Sequence, residues 1–246
     1  RWYLDGRSGR AAYDAGHLPG AVFVDLDRDA SAPAAQPGGR HPLPHPDDFA
    51  AALGRLGIGD GTAVVAYDDQ GGVVAGRLWW MLDSLGEAAA VLDGGIQAWP
   101  GALETTPPPI TPATFTPRPW PSDRFVSADE VAARNDRVVL VDARSTDRYA
   151  GVENAIDPRF GHIPGARSAP HTENVGPDGR FAHVADLADR YHTLGIDQDT
   201  EVIAYCGSGV SANSDLLALR LIGNTNARLY VGSWSEWAAT PDREIE

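Results

Sequence analysis

Cysteine is nearly absent: the 246 residues hold one, Cys206. A single thiol cannot close an internal disulfide or build a zinc site from several thiolates. A free thiol suits a reducing compartment, so a cytoplasmic location is expected. Basic charge is also short, with 20 Lys and Arg against 34 Asp and Glu, a formal net charge of −14. Such a chain repels phosphate backbones and anionic lipid, which argues against nucleic-acid and membrane partners. A small anionic ligand would need a local cluster of cations against this field. No apolar run approaches the roughly 18 residues of a membrane span. The sequence opens on Arg1 instead of methionine, so the natural N-terminus is expected upstream; nothing here reads as a targeting segment.

What the chain does have is a duplication. Gly16-His17-Leu18-Pro19-Gly20-Ala21 recurs as Gly161-His162-Ile163-Pro164-Gly165-Ala166, an offset of 145 (161 − 16). Leu56-Gly57-Ile58 recurs as Leu194-Gly195-Ile196, and Thr62 to Tyr67 recurs as Thr200 to Tyr205, both at 138 (194 − 56; 200 − 62). Gly94 and Trp99 recur as Gly232 and Trp237, again at 138. Matches in one order at nearly constant offset indicate two similar domains. Seven more positions separate the turn from the Leu-Gly-Ile match in the first copy (56 − 16 = 40) than in the second (194 − 161 = 33). The polar, irregular stretch 145–160, just before the second turn, is read as an insertion in the second copy. Insertions beside a site often carry specificity.

Each copy reads as α/β. In the first, the pattern predicts a helix over 47–56 with Asp47 as N-cap, a strand over 63–67, a helix over 73–85 and a strand over 89–92. In the second it predicts a capping box at Ser127 and Glu130, strands over 138–141 and 227–231 with another in the run from Glu201 that ends at Cys206, and helices over 184–194 and 211–222. Strands alternating with helices imply mostly parallel sheets flanked by helices. Between the copies, residues 105–122 hold seven prolines. This density blocks ladders and helices and predicts a stiff linker packed along a surface. The expected organisation is a domain over 1–104, the linker over 105–122 and a second domain over 123–246.

The stretch Tyr205-Cys206-Gly207-Ser208-Gly209-Val210-Ser211-Ala212 carries the chemistry. Ligands of parallel α/β sheets bind beyond the carboxyl ends of strands, where Cys206 falls. Gly207 and Gly209 let the backbone curl with N–H groups pointing inward. The loop runs into a helix N-terminus, which favours negative charge. Both features favour thiolate over thiol, and would equally stabilise an anionic persulfide. A lone cysteine is more often a small buried hydrophobe; its place between strand end and glycine loop argues for catalysis here. The matching position in the first copy is Asp68, which cannot act as a soft nucleophile. That copy is expected to keep the fold without the chemistry. A cysteine phosphatase would need an arginine six positions after the thiol, where Ala212 stands.

The tandem copies, the Gly-His-x-Pro-Gly-Ala turns, the aspartate loop and Cys-Gly-Ser-Gly-Val-Ser-Ala resemble the two-domain rhodanese-type sulfurtransferases. The neutral Gly207-Ser208 pair is similar to the 3-mercaptopyruvate branch, because the thiosulfate-preferring branch usually has basic residues there. Ser211 stands where that branch more often has Thr. The resemblance implies that Cys206 attacks the sulfur of 3-mercaptopyruvate and pyruvate leaves as its enolate. The resulting persulfide passes its sulfur to cyanide or to a thiol or thioredoxin-like acceptor. No metal or organic cofactor is implied. Arg148 and Arg159 are expected to hold the keto-acid carboxylate and carbonyl, with Gly207, Gly209, Val210 and Ser211 forming the loop around it. The resemblance further implies a Ser208, His41 and Asp27 arrangement across the domain interface. His17 and His162 are read as structural, since both copies carry them, and Asp142 as a capping residue. The alternatives are a thiosulfate sulfurtransferase and a non-catalytic rhodanese-like binding module.

Overall fold

The computed structural model describes residues 1–246, which divide into two compact units. The first comprises 1–32 and 43–120, the second 33–42 and 121–246. The segment 33–42, expected in the first domain, thus packs with the second. The proline-rich stretch belongs to the first unit up to Trp120.

In the first unit, α1 (Gly9–Ala15), α2 (Leu26–Asp29) and α3 (Pro46–Arg55) precede β1 (Val64–Ala66), α4 (Ala75–Ser84) and β2 (Ala89–Val91). Strands β1 and β2 pair in parallel, Val64 opposite Ala89. The α3 N-cap is His45 in place of the expected Asp47, because Pro46 occupies the first helical position, where its missing N–H and fixed φ cost nothing. Trp79, Trp80 and Met81 of α4 are buried. Val65 is 63% exposed, which marks β1 as an edge, and a cavity of about 360 Å³ lined by Phe23, Val24 and Leu78 runs beside it. The proline stretch adds no regular structure but packs tightly. Ala113 N–H donates to Gly54 O (2.9 Å), and Phe49 meets Phe115 edge-on and Trp120 at a tilt.

The second unit runs β3 (Phe125–Val126), α5 (Ala128–Ala132), β4 (Val139–Asp142), α6 (Thr146–Tyr149), β5 (Arg167–Ser168), α7 (Val184–Thr193), β6 (Val202–Tyr205), α8 (Ala212–Leu221), β7 (Ala227–Tyr230) and α9 (Ser233–Trp237). The five strands are all parallel in the order β3-β7-β6-β4-β5. Every residue of β4 and β6 is buried, as expected for a parallel sheet covered on both faces. One core gathers Val131, Leu140, Ile203, Tyr205, Tyr230, Trp234 and Trp237. The capping box at the start of α5 is formed in both directions.

The repeated turns are built alike. In the first unit His17 stacks on Tyr13 at 4.0 Å with its Nδ1 2.9 Å from the Tyr13 carbonyl. In the second His162 stacks on Tyr149 at 3.8 Å with Nδ1 2.9 Å from the Tyr149 carbonyl. The two tyrosines donate to Ala21 O and Ala166 O. These histidines fasten turns to α1 and α6.

Candidate active site

Strand β6 delivers Cys206 to the carboxyl edge of the sheet, 1% exposed. The loop that follows is held from behind by the 232–237 turn. Cys206 N–H donates to Ser233 Oγ (3.1 Å), while Trp234 N–H and Ser235 N–H donate to the Cys206 and Gly207 carbonyls (2.9 and 3.0 Å). Ser233 makes this possible at a local cost. Its φ is +52, a conformation unfavourable by roughly 1–2 kcal/mol for a residue with a Cβ. From the helix side, Asn213 Nδ2 donates to both the Gly209 and Val210 carbonyls (2.9 and 2.8 Å). The loop carbonyls are therefore drawn outward. Asn213 was not anticipated from sequence; its signal is a polar residue in the first turn of a helix buried along much of its length. Val210 is buried and Ser211 precedes the first turn of α8, without a side-chain capping bond.

Both glycines have steric reasons. Gly209 has φ +75, and a Cβ there would lie 2.4 Å from Val231 O. At Gly207 the constraint is ionic: a Cβ would lie 2.8 Å from Arg148 Nη2 and 3.0 Å from Arg40 Nη2. Two guanidinium groups thus close on the residue next to the cysteine. All 20 basic residues of this chain are arginine; lysine is absent. Planar donors that grip a carboxylate with two hydrogen bonds are the cations it offers.

Arg148, on α6, is held by Asp157, with Nε donating to Oδ2 (2.8 Å) and Nη2 to Oδ1 (2.5 Å). Asp157 is itself tied to buried Arg144, whose main partner is Asp142. Burial works against the Asp157 carboxylate, but the hydrogen bonds from Arg148 outweigh it and hold its pKa below the usual value. Arg40 approaches in the 33–42 segment. Its backbone N–H donates to Ser235 Oγ (3.0 Å) and its Nη1 to Ile156 O (3.4 Å). Burial, then the nearby Arg148 charge, lowers its pKa. Three guanidinium groups (Arg40, Arg144 and Arg148) face two carboxylates (Asp142 and Asp157), which leaves one excess positive charge in this cluster of a strongly acidic chain.

Arg159 is placed differently from the expectation. Its guanidinium donates to the Thr240 and Arg243 carbonyls, and its own carbonyl accepts the Trp234 indole N–H. It fastens the C-terminal segment, and Arg40 supplies the second cation at the loop. His41, adjacent to Arg40, lies with Nδ1 2.8 Å from Ser208 Oγ; both side chains are buried. Asp27 belongs to the other unit, where it accepts the Trp2 indole N–H (2.9 Å). In the first unit the matching loop is filled by its own carboxylate. Asp68 accepts from Gln70 and Gly72 N–H through Oδ1 and from Val74 and Ala75 N–H through Oδ2, all within 2.9 Å.

Two similar α/β units, one with a thiol at the mouth of its strand-to-helix loop and one with a carboxylate there, define a rhodanese-type pair. The rhodanese-like domain model matches residues 3–102 and 127–240, and the chain belongs to that family. It is 42% identical to a Pseudomonas aeruginosa protein named as a probable 3-mercaptopyruvate sulfurtransferase, over 96% of this chain and 86% of that one. The human 3-mercaptopyruvate sulfurtransferase is 35% identical, over 96% and 82%. The SseB protein of Mycobacterium tuberculosis, ascribed provisionally to thiosulfate, is 39% identical, over 100% and 88%. Among solved structures, 3-mercaptopyruvate sulfurtransferase from Leishmania major superposes with a TM-score of 0.85 at 30% identity, covering 97% of this chain and 68% of that one. A complex of EanB with ergothioneine gives 0.85 at 26%, covering 96% and 62%. The chain is a sulfurtransferase with two rhodanese domains. No helix is long and apolar enough to cross a membrane.

Proposed function

We propose that the chain moves sulfane sulfur from 3-mercaptopyruvate, through a persulfide on Cys206, to a thiol or cyanide. The observation that carries this is the pair of guanidinium groups, Arg148 and Arg40, closing on Gly207 beside the thiol. A 2-oxo acid has a carboxylate and a carbonyl next to its thiol-bearing carbon. Arginine donors are suited to the first two, and the third would then face Cys206. The Cys206 thiolate attacks the donor sulfur and the sulfur–carbon bond breaks. Its electron pair leaves with pyruvate as the enolate, which takes up a proton. Ser208, whose Oγ lies 2.8 Å from His41 Nδ1, would supply a hydrogen bond and a proton path to the enolate. A thioredoxin-like protein is the expected physiological form of the thiol acceptor, and the cytoplasm the expected compartment.

Thiosulfate is the second reading, favoured by the M. tuberculosis relative and by the affinity of guanidinium groups for oxyanions. Rates of pyruvate and thiocyanate formation with each donor decide between them; a large preference for thiosulfate sinks the keto-acid reading. Mass spectrometry after incubation with mercaptopyruvate should show the gain of one sulfur on the wild-type protein and none on Cys206→Ser. No adduct on the wild type would support a binding module instead.

A further inference from the structure

Strand β4 ends beside β6, and the chain continuing from it stays in register. Ala143 N–H donates to the Tyr205 carbonyl (2.8 Å), one peptide before Cys206. The Ala143 carbonyl in turn accepts from His171 N–H (3.1 Å) and lies 2.8 Å from His171 Nδ1. A carbonyl oxygen only accepts, so Nδ1 carries the hydrogen and the neutral ring has its lone pair on Nε2. Neighbouring strands lie about 4.8 Å apart. His171 follows β5, the strand on the far side of β4 from β6, so its imidazole stands on the same carboxyl rim as Cys206 with the end of β4 between them, half buried and fixed in one tautomer. Burial first, and then the Arg148 and Arg190 guanidinium charges, lower its pKa, so it is neutral around pH 7. The other candidate bases are occupied: His41 pairs with Ser208, and Asp157 with Arg148.

We infer that His171 is the base that takes the proton from the incoming thiol acceptor, an inference that rests on the persulfide reading above. A free thiol has a pKa of about 8.5 and is mostly protonated near neutrality, whereas only the thiolate attacks sulfur. The acceptor R–SH gives its proton to His171 Nε2. R–S⁻ then attacks the outer sulfur of Cys206–S–S⁻, forming a new sulfur–sulfur bond. The old one breaks, and its electron pair returns to Cys206 as thiolate. The proton on His171 passes to the departing R–S–S⁻, giving R–S–SH. Nothing is oxidised or reduced overall. The neighbouring guanidinium charges disfavour imidazolium, which speeds return of the proton.

The test loads Cys206 with inorganic polysulfide, so that it does not depend on the keto-acid donor, and follows loss of the added sulfur by mass spectrometry. The acceptors are dithiothreitol and, at mildly alkaline pH, sulfite, which then brings no proton. His171→Gln should slow discharge to dithiothreitol by about a hundredfold, a usual size for general-base catalysis. The deficit should shrink as pH approaches the pKa of the thiol. Discharge to sulfite should stay within twofold of wild type. His171→Phe, which keeps a ring without nitrogen, should give the same split. Equal slowing with both acceptors, or none with either, overturns the inference. Failure of polysulfide to load Cys206 overturns it together with the persulfide reading. Loading by polysulfide but not by mercaptopyruvate counts against the keto-acid donor alone.

Discussion

Gly207→Ala isolates the donor site from the fold. The backbone at Gly207 is outside the left-handed region, so alanine meets no conformational penalty there. Its methyl would lie 2.8 Å from Arg148 Nη2 and 3.0 Å from Arg40 Nη2. Reaching a contact distance of roughly 3.5 Å needs retreats of roughly 0.7 and 0.5 Å. Arg40 can swing, but Arg148 is gripped through two bonds by Asp157, so its retreat strains that pair. The loss expected is one charged hydrogen bond to the donor carboxylate, about 1.5–3 kcal/mol, or roughly tenfold to a hundredfold in kcat/KM, carried mainly by KM. The thermal midpoint should hardly move, because only flexible side-chain ends are displaced. Gly209→Ala is the contrast. There φ is +75 and the obstacle is the Val231 backbone carbonyl at 2.4 Å, so stability and activity should fall together. Steady-state pyruvate formation across donor concentrations, with thermal unfolding of both variants, measures this. A Gly207→Ala enzyme with kcat/KM within twofold of wild type refutes the guanidinium argument, as does one destabilised as much as Gly209→Ala.

Arg40→Ala should raise KM for the keto-acid donor at least tenfold, whereas Arg159→Ala should leave KM unchanged and lower the unfolding midpoint; the reverse pattern in steady-state kinetics would restore Arg159 to the site. Asp215 of α8 is fully buried, accepts from Asn174 Nδ2 (2.7 Å), and is pushed up from 3.8 to about 7 by burial, against the opposing pull of Arg190. Its neutral form is the one the fold favours. Stability from this group is complete below about pH 4, falls as pH rises toward 7 and is level above, by about 4 kcal/mol at most. Asp215→Asn should flatten that slope in urea unfolding, with its gain over wild type largest at pH 8 and gone near pH 4; an unchanged slope rejects the assignment.

The reach of the sequence can be judged residue by residue. The strand, thiol and helix around Cys206 were legible because a buried apolar run, two glycines and a helical period occur in succession. The duplication supplied an internal control for His17 and His162. The arginines were half legible. Arg148 has a short path from β4 through α6 to the loop. Arg159 lies in the same polar stretch, but side-chain direction depends on whether the Trp234 indole holds its carbonyl, and no periodicity encodes that. Arg40, next to His41, carries no signal of its own in the sequence. It sits in a Gly- and Pro-rich loop whose destination is set by distant partners, Ser235 and Glu236. The same long-range pairing carries 33–42 out of the first unit. Asp157 and Asn213 have roles only through what they grip, and so cannot be read from residue type.

The two strand-to-helix loops answer one electrostatic problem in opposite ways. Inward-facing amides at a helix start attract an anion. In the first unit Asp68 provides it permanently, and the four N–H groups that bind its carboxylate belong to Gln70, Gly72, Val74 and Ala75. At the offset of 138 these become Ser208, Val210, Ala212 and Asn213. With cysteine at 206 the second loop has no carboxylate of its own to fill that cradle. Its shape must then be kept by other means. Asn213, where the first unit has Ala75, ties back the Gly209 and Val210 carbonyls, and the strained Ser233 turn fixes those of Cys206 and Gly207. On the proposed chemistry, the added side chains are what a loop needs when its anion is to be a sulfur that comes and goes, in place of a built-in carboxylate. The extra positive charge at Arg40 and Arg148 fits the same proposal, since a transient anion would have to be drawn into a chain of net charge −14.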